Sequence, residues 1–195
     1  MSLAVLCAAG AILGCADEDE NPATTAIRDN QAPPIVVSSS GGIQIGRPLP
    51  SFDAFTLAGG RWNGEFEAKA TLVNVWATWC SPCRYEIPDL IRLRNDWGPA
   101  GFDVLGVSVD NPGTGPMIQQ FAKDFGINYP IIHDAAQTTL DALRTSVVPT
   151  TVLVDHEGIV LWMHLGPVSA EDQELLEILR QQLGSRPETS EEIRL

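Results

Sequence analysis

The stretch Thr71-Leu72-Val73-Asn74-Val75-Trp76-Ala77-Thr78-Trp79-Cys80-Ser81-Pro82-Cys83 carries the information on which the fold turns. Its first seven residues, Thr71 to Ala77, are rich in β-branched and apolar side chains and read as a strand buried on both faces. From Cys80 to about Asp96 the chain reads as a helix, with Pro88 as a kink. A Cys-x-x-Cys pair at a strand-to-helix junction is a redox motif with a mechanism. The helix N-terminus offers N–H groups without intrahelical partners and the positive end of the dipole. A thiolate at Cys80 is stabilised there, which places its pKa below the free value of about 8.5. Two intervening residues let Cys83, one turn on, reach back and close a disulfide. Pro82 sits in the first turn without losing a needed N–H.

The same pair admits two other readings, a metal site and a purely structural disulfide. Structural zinc takes four ligands, normally a second Cys-x-x-Cys or a closely spaced histidine pair. The remaining histidines, His133, His156 and His164, lack that spacing, so no metal site is expected.

Beyond the cysteines the chain alternates strand and helix. Phe52 to Leu57 alternates loosely and leads into Ala58-Gly59-Gly60, which reads as a hairpin turn. Phe102 to Val109 reads as a second buried strand, Met117 to Phe125 as a helix, Tyr129 to Ile132 as a short strand and Ala135 to Leu143 as a helix. Thr150–Val154 and Ile159–Met163 flank Asp155-His156-Glu157-Gly158 as strand, turn and strand. An amphipathic helix, Ala170 to about Leu183, closes the pattern with Leu175, Leu176, Ile178, Leu179 and Leu183 on its apolar side. These elements define an α/β fold with a mixed central sheet flanked by helices. Trp76 is expected in the core, and Trp62, Trp97 and Trp162 in packing roles. Residues 184–195 read as a frayed tail.

The 195 residues suit one domain plus some tail. A net charge of −13 excludes a nucleic-acid partner, which would need Lys and Arg to neutralise phosphates. The excess acid is spread over the domain and the segment before it, with no polyacidic block beyond Asp17-Glu18-Asp19-Glu20, and reads as a solvated surface.

Leu3 to Leu13 is apolar or small, too short to cross a bilayer core as a stable helix, which takes about 20 residues. It fits the apolar region of a secretory signal. Ile12-Leu13-Gly14-Cys15 resembles a bacterial lipobox, in which Cys15 becomes diacylated and leads the mature chain; Leu13 is bulkier than the usual residue there. No Lys or Arg precedes Arg28, so either the start lies upstream or the free amino group serves as the positive region. A signal of another kind, and a buried N-terminal helix with Cys7 and Cys15 in the core, are the alternatives. Residues 1–14 are thus assigned to a lipoprotein-type signal peptide. Residues 15–42 are the lipid-attachment cysteine and a flexible tether, punctuated by Asn21-Pro22, Pro33-Pro34 and Gly41-Gly42. As a coil that tether reaches roughly 30 Å.

Residues 43–183 form one domain, of which residues 46 to about 183 resemble the thioredoxin superfamily and, within it, the TlpA/ResA group of membrane-tethered thiol–disulfide oxidoreductases. The resemblance rests on the Trp-Cys-x-x-Cys segment, on Gly46-Arg47-Pro48-Leu49-Pro50-Ser51-Phe52, and on Val148-Pro149-Thr150-Thr151 followed by Val154-Asp155-His156-Glu157-Gly158. It implies a thioredoxin-like fold with an N-terminal β-hairpin extension (Ile43 to about Trp62) and a central insertion between Cys83 and Pro149. It further implies that Pro149 is cis and faces the cysteines, exposing the backbone of Val148 for strand-like pairing with substrate. The resemblance also implies that Trp79, next to Cys80, shields and shapes the rim of the site.

Glu86 lies three residues after Cys83, one helical turn away, so its carboxylate can approach the pair. The resemblance implies that a glutamate here tunes cysteine acidity and helps move protons. Many thioredoxins carry a buried aspartate six residues before the first cysteine. Here that position is Asn74, whose amide cannot take a proton, which leaves Glu86 as the nearest base. The alternative is an ordinary helix-surface acid.

The expected chemistry is two thiol–disulfide exchanges without a cofactor, acting on disulfide-containing exported proteins. The resemblance implies re-reduction by a membrane electron donor of the DsbD/CcdA type and a task such as cytochrome c maturation. The Ser-Pro dipeptide between the cysteines resembles reducing members of the family more than oxidases, so the expectation is a reductase, with an oxidase or isomerase as the alternative. A Sco-like copper-binding chaperone uses Cys-x-x-x-Cys plus a distal histidine, and a peroxiredoxin-like peroxidase uses Thr-x-x-Cys. Neither spacing is found at Cys80.

Overall fold

The computed structural model describes residues 43–187 apart from residue 53. The expectations for the signal, for Cys15 and the tether, and for 188–195 lie outside the described residues.

The scaffold is a six-stranded mixed sheet. Its centre is β2 (Ala70–Trp76), buried along its whole length, its apolar residues interrupted by Thr71 and Asn74. The active-region helix α1 (Ser81–Trp97) carries the chain from β2 to β3 (Phe102–Ser108), which pairs parallel with β2, after one 3₁₀ turn at Gly98–Ala100. Helix α2 (Gly115–Asp124) leads to β4 (Ile131–His133), parallel to β3. These two crossovers are βαβ units. A short helix, α3 (Thr138–Leu143), returns the chain to the other side of β2, where β5 (Thr150–Asp155) runs antiparallel. Strand β6 (Val160–Leu165) pairs antiparallel with β5, and α4 (Gln173–Leu183) ends the domain. The expected α/β architecture is therefore what the chain adopts.

Leu72, Asn74 and Trp76 share one face of β2 by the period of two. Leu72 packs in a cluster with Leu90, Leu93, Leu175 and Leu179 from α1 and α4, and Trp76 lies against Phe121 of α2 at 5.2 Å between ring centroids. Trp97 and Trp162 are buried, while Trp62 stacks on Phe52 and meets Phe66 edge-on. On α4 the expected apolar side is reduced to two fully buried leucines, Leu175 and Leu179, with Leu176, Ile178 and Leu183 half-buried against the core.

Several boundaries differ from the sequence reading for local reasons. The N-terminal hairpin shrinks to one bridge, Phe55 with Arg61, closed by Thr56 N–H donating to Gly60 O at 2.7 Å. What remains of its strand, β1 (Phe55–Thr56), pairs with β4 instead, and the aromatic cluster of Phe52, Trp62 and Phe66 replaces a longer ladder. Strand β4 starts at Ile131 because Pro130 has no N–H to give the ladder, although its carbonyl accepts from Gly106 N at 2.9 Å. Helix α3 starts at Thr138, where the buried Asp134 carboxylate accepts from Thr138 N and Thr139 N at 3.0 and 2.6 Å. Asp172 caps α4 in the same way through Leu175 N. In the described part of the tail, Arg186 reaches Asp96 of α1 at 3.2 Å.

Candidate active site

The site forms at the C-terminal end of β2, between its parallel neighbour β3 and its antiparallel neighbour β5. Such a divergence of strand connections is where open α/β sheets place their ligands. After Trp76 the chain turns through Ala77, Thr78 and Trp79, with Cys80 N–H donating to Ala77 O at 3.1 Å. Cys80 is the N-cap of α1, and its Sγ accepts from Cys83 N–H at 3.2 Å. This places the Cys80 sulfur on the orphan N–H groups of the helix end, where a thiolate is favoured. The two cysteines are joined as a disulfide, so the described state is the oxidised one. Cys80 keeps 4% of its surface exposed and Cys83 none, which makes Cys80 the sulfur that a second molecule can reach.

Thr150 is opposite Val75 in the β2–β5 ladder, and continuing that register carries Pro149 and Val148 past the end of β2 toward the cysteines. The Val148–Pro149 bond is cis, and Val148 O lies 3.6 Å from Cys80 Sγ. Val148 is half-buried and Pro149 buried. Trp79 is 63% exposed at the rim, with Tyr85 and Val147 also exposed.

Glu86 is not a surface acid. It is 1% exposed, on the inward side of α1. Its Oε1 accepts from Asn74 Nδ2 at 2.9 Å and its Oε2 from Val168 N–H at 2.9 Å. Removal from water pushes its pKa up to about 7, against the pull of the Val168 and Asn74 hydrogen bonds and with a smaller push from Asp89. Asn74 Nδ2 also donates to Thr151 Oγ1 at 2.9 Å, so one amide bridges the acid to β5. Tyr129 is buried as well, its phenol driven upward by burial and by the charge of Glu86.

The structure thus brings together Cys80, Cys83, Val148 and Pro149, with Trp79 beside them and Glu86 one turn below. The sequence marks Asn74 as a position lacking an acid; in the fold its amide donates to Glu86. Val168 acts through its backbone N–H and leaves no trace in residue type. Asp110, a buried acid just beyond β3, grips the turn before Cys80 and was missed; an acid after an apolar strand at the same sheet end as the cysteines was the available signal. Among the described residues no group of three His, Cys, Asp or Glu side chains is placed to hold a metal ion, and no helix is long and apolar enough to cross a membrane.

A thioredoxin-like sheet carrying a Cys-x-x-Cys disulfide at a helix N-terminus, faced by a cis-proline, defines a thiol–disulfide oxidoreductase. Residues 45–163 match the AhpC/TSA family, and the chain belongs to it. It is 31% identical over 133 residues to the thiol-disulfide oxidoreductase ResA of Geobacillus kaustophilus, covering 68% of this chain and 75% of that protein. Among solved structures it resembles a thioredoxin-family thiol:disulfide interchange protein of Chlorobium tepidum TLS, 30% identical with a TM-score of 0.58, over 73% of this chain and all of the other. A DsbF homologue from Corynebacterium diphtheriae is likewise 30% identical, with a TM-score of 0.59 over 69% of this chain and 85% of its own. The chain is an enzyme of thiol–disulfide exchange.

Proposed function

We propose that this oxidoreductase acts outside the cytoplasm, tethered to a membrane by a lipid on Cys15, and reduces disulfides in exported proteins, apocytochrome c among them. Cys80 is the attacking sulfur. Its thiolate forms a bond to one sulfur of the substrate disulfide, and the other substrate sulfur leaves as a thiolate. The mixed disulfide lies against Val148 and Pro149, with Trp79 covering one side. Cys83 then loses its proton to Glu86 and attacks Cys80 Sγ. The Cys80–Cys83 disulfide forms, the second substrate sulfur leaves, and two electrons have passed from the dithiol to the substrate. A membrane donor of the DsbD/CcdA type returns them.

The observation that carries this reading is Glu86, a buried acid one turn after Cys83 whose pKa near 7 suits it to accept a thiol proton at neutral pH. The reducing direction is supported by the Ser81-Pro82 dipeptide and by the compartment, which already supplies oxidising power.

The test is the reduction potential of the Cys80–Cys83 couple in defined thiol buffers. A value near that of thioredoxin, about −270 mV, fits a reductase, and one near that of DsbA, about −120 mV, makes the protein an oxidant. Incorporation of labelled palmitate that is abolished by Cys15→Ser tests the tether.

A further inference from the structure

We propose that Asp110 is a positioning residue for thiol–disulfide exchange: together with Arg84 it grips Thr78 by both backbone groups and so fixes the turn from which Cys80 is presented. This rests on the reading of Cys80 as the attacking sulfur.

Between the last residue of β2 and the first of α1 lie Ala77, Thr78, Trp79 and Cys80, outside both ladder and helix. Trp79 points to solvent and contributes little packing to hold this turn. Polar contacts hold it instead. Thr78 N–H donates to Asp110 Oδ2 at 3.0 Å and Oδ1 at 3.3 Å, and its hydroxyl donates to Oδ1 at 2.6 Å. On the other side of the same residue, Thr78 O accepts from Arg84 Nε at 3.2 Å. One residue is thus clamped between a carboxylate from the end of β3 and a guanidinium from the first turn of α1.

Both jaws are themselves held. Asp110 is 1% exposed. Ser108 Oγ donates to its Oδ2 at 2.8 Å, and its backbone O lies 2.9 Å from His133 Nε2. The neighbouring Val109 N–H donates to Trp76 O at 2.9 Å, tying the loop to the end of β2. Arg84 lies over the rings of Phe121 and Phe125, 5.4 and 5.8 Å from their centroids. Closing a loop does not need a charge. Hydrogen bonds to a carboxylate are about twice as strong as neutral ones, and here two of them converge on a residue two positions from the reactive sulfur. Cys80 Sγ must meet Cys83 N–H and Val148 O at once, so a loosened turn costs alignment.

The test uses the full-length chain and 5,5′-dithiobis(2-nitrobenzoic acid) as the disulfide, in a Cys7→Ser, Cys15→Ser, Cys83→Ser background in which Cys80 is the one remaining thiol. Asp110→Asn keeps the shape but offers one acceptor where three donors arrive, and Thr78→Val removes the hydroxyl while keeping the N–H. Both are expected to slow attack roughly tenfold at a temperature where they are fully folded, and to move the pH dependence of Cys80 alkylation. Thr78→Ser, which keeps both donors, is expected to restore the parent rate. Folded Asp110→Asn and Thr78→Val proteins that react within twofold of the parent, with the pH dependence unmoved, overturn the proposal even if their melting temperatures fall. If Asp110→Asn does not fold, Thr78→Val decides by the same criterion. A Cys7→Ser, Cys15→Ser, Cys80→Ser protein, with Cys83 intact, that reacts as fast as the parent overturns the reading of Cys80 instead, which separates the two failures.

Discussion

Asn74 Nδ2 donates to Glu86 Oε1 at 2.9 Å, joining the middle of the central strand to the acid of the active-site helix. The same nitrogen donates to Thr151, and among the described residues no donor reaches the buried Asn74 Oδ1. The amide therefore stabilises the ionised form of Glu86, partly offsetting the burial that favours the neutral form. Asn74→Ala is expected to move the titration of Glu86 above 7 and to shift the pH profile of the Cys83 release step to higher pH. It also strips a buried acceptor of its donor, a loss of about 1–3 kcal/mol. Stopped-flow rates across pH read the first effect and denaturant unfolding the second; an unmoved profile would count against the link.

Burial of Glu86 also makes stability depend on pH. Its pKa rises from the usual 4.5 to about 7 in the fold. Between those values the folded chain keeps a proton that the unfolded chain has released. The contribution of this group is therefore greatest below pH 4.5, falls as pH rises toward 7, and is level beyond. The expected loss across that window is about 3 kcal/mol. Glu86→Gln cannot titrate, so the difference between its unfolding free energy and that of the parent should vary with pH in that sense. Parallel curves from pH 4 to 8 would show that Glu86 is not perturbed.

Gly106 faces Asn74 across the parallel pair, and its missing side chain is required. A Cβ there would stand 2.9 Å from Trp76 Nε1 and 3.2 Å from Tyr129 Cε2, both on buried rings that have little room to withdraw. Gly106→Ala is expected to destabilise the fold by about 1–3 kcal/mol through overpacking. Urea denaturation measures this, and a change below about 0.5 kcal/mol would mean that the rings yield freely.

Trp79 is exposed beside a largely buried Cys80. Its removal should barely touch stability, by about 0.5 kcal/mol or less, yet weaken the encounter with protein disulfides. Trp79→Ala is expected to raise KM several-fold for a protein substrate, with less effect on a small disulfide. Steady-state kinetics on both substrates test it, and equal effects on the two would remove Trp79 from protein recognition.

The sequence by itself determined the order of strands and helices and the place of the cysteine pair. Thr71 to Trp76 and Phe102 to Ser108 are mostly apolar, β-branched-rich runs, and Cys80 and Cys83 stand where strand becomes helix; these are local patterns, and local propensity and burial act through them. It also placed Glu86 one turn from Cys83, because helical spacing is regular. Element starts were less legible where a nearby side chain captured the first N–H groups of a helix, as Asp134 does at α3, or where the hairpin lost its ladder to an aromatic cluster. The tertiary structure decided what surrounds the sulfurs and the acid. Asn74 meets Glu86 and Thr151, Val168 lends a backbone N–H from 82 residues away, and Asp110 reaches Thr78 across 32. These partners come together because β2 lies between β3 and β5, and no periodicity along the chain encodes that neighbourhood. The acidity of Glu86 belongs to the same class, since burial and hydrogen-bond partners are properties of the folded surroundings and not of the residue.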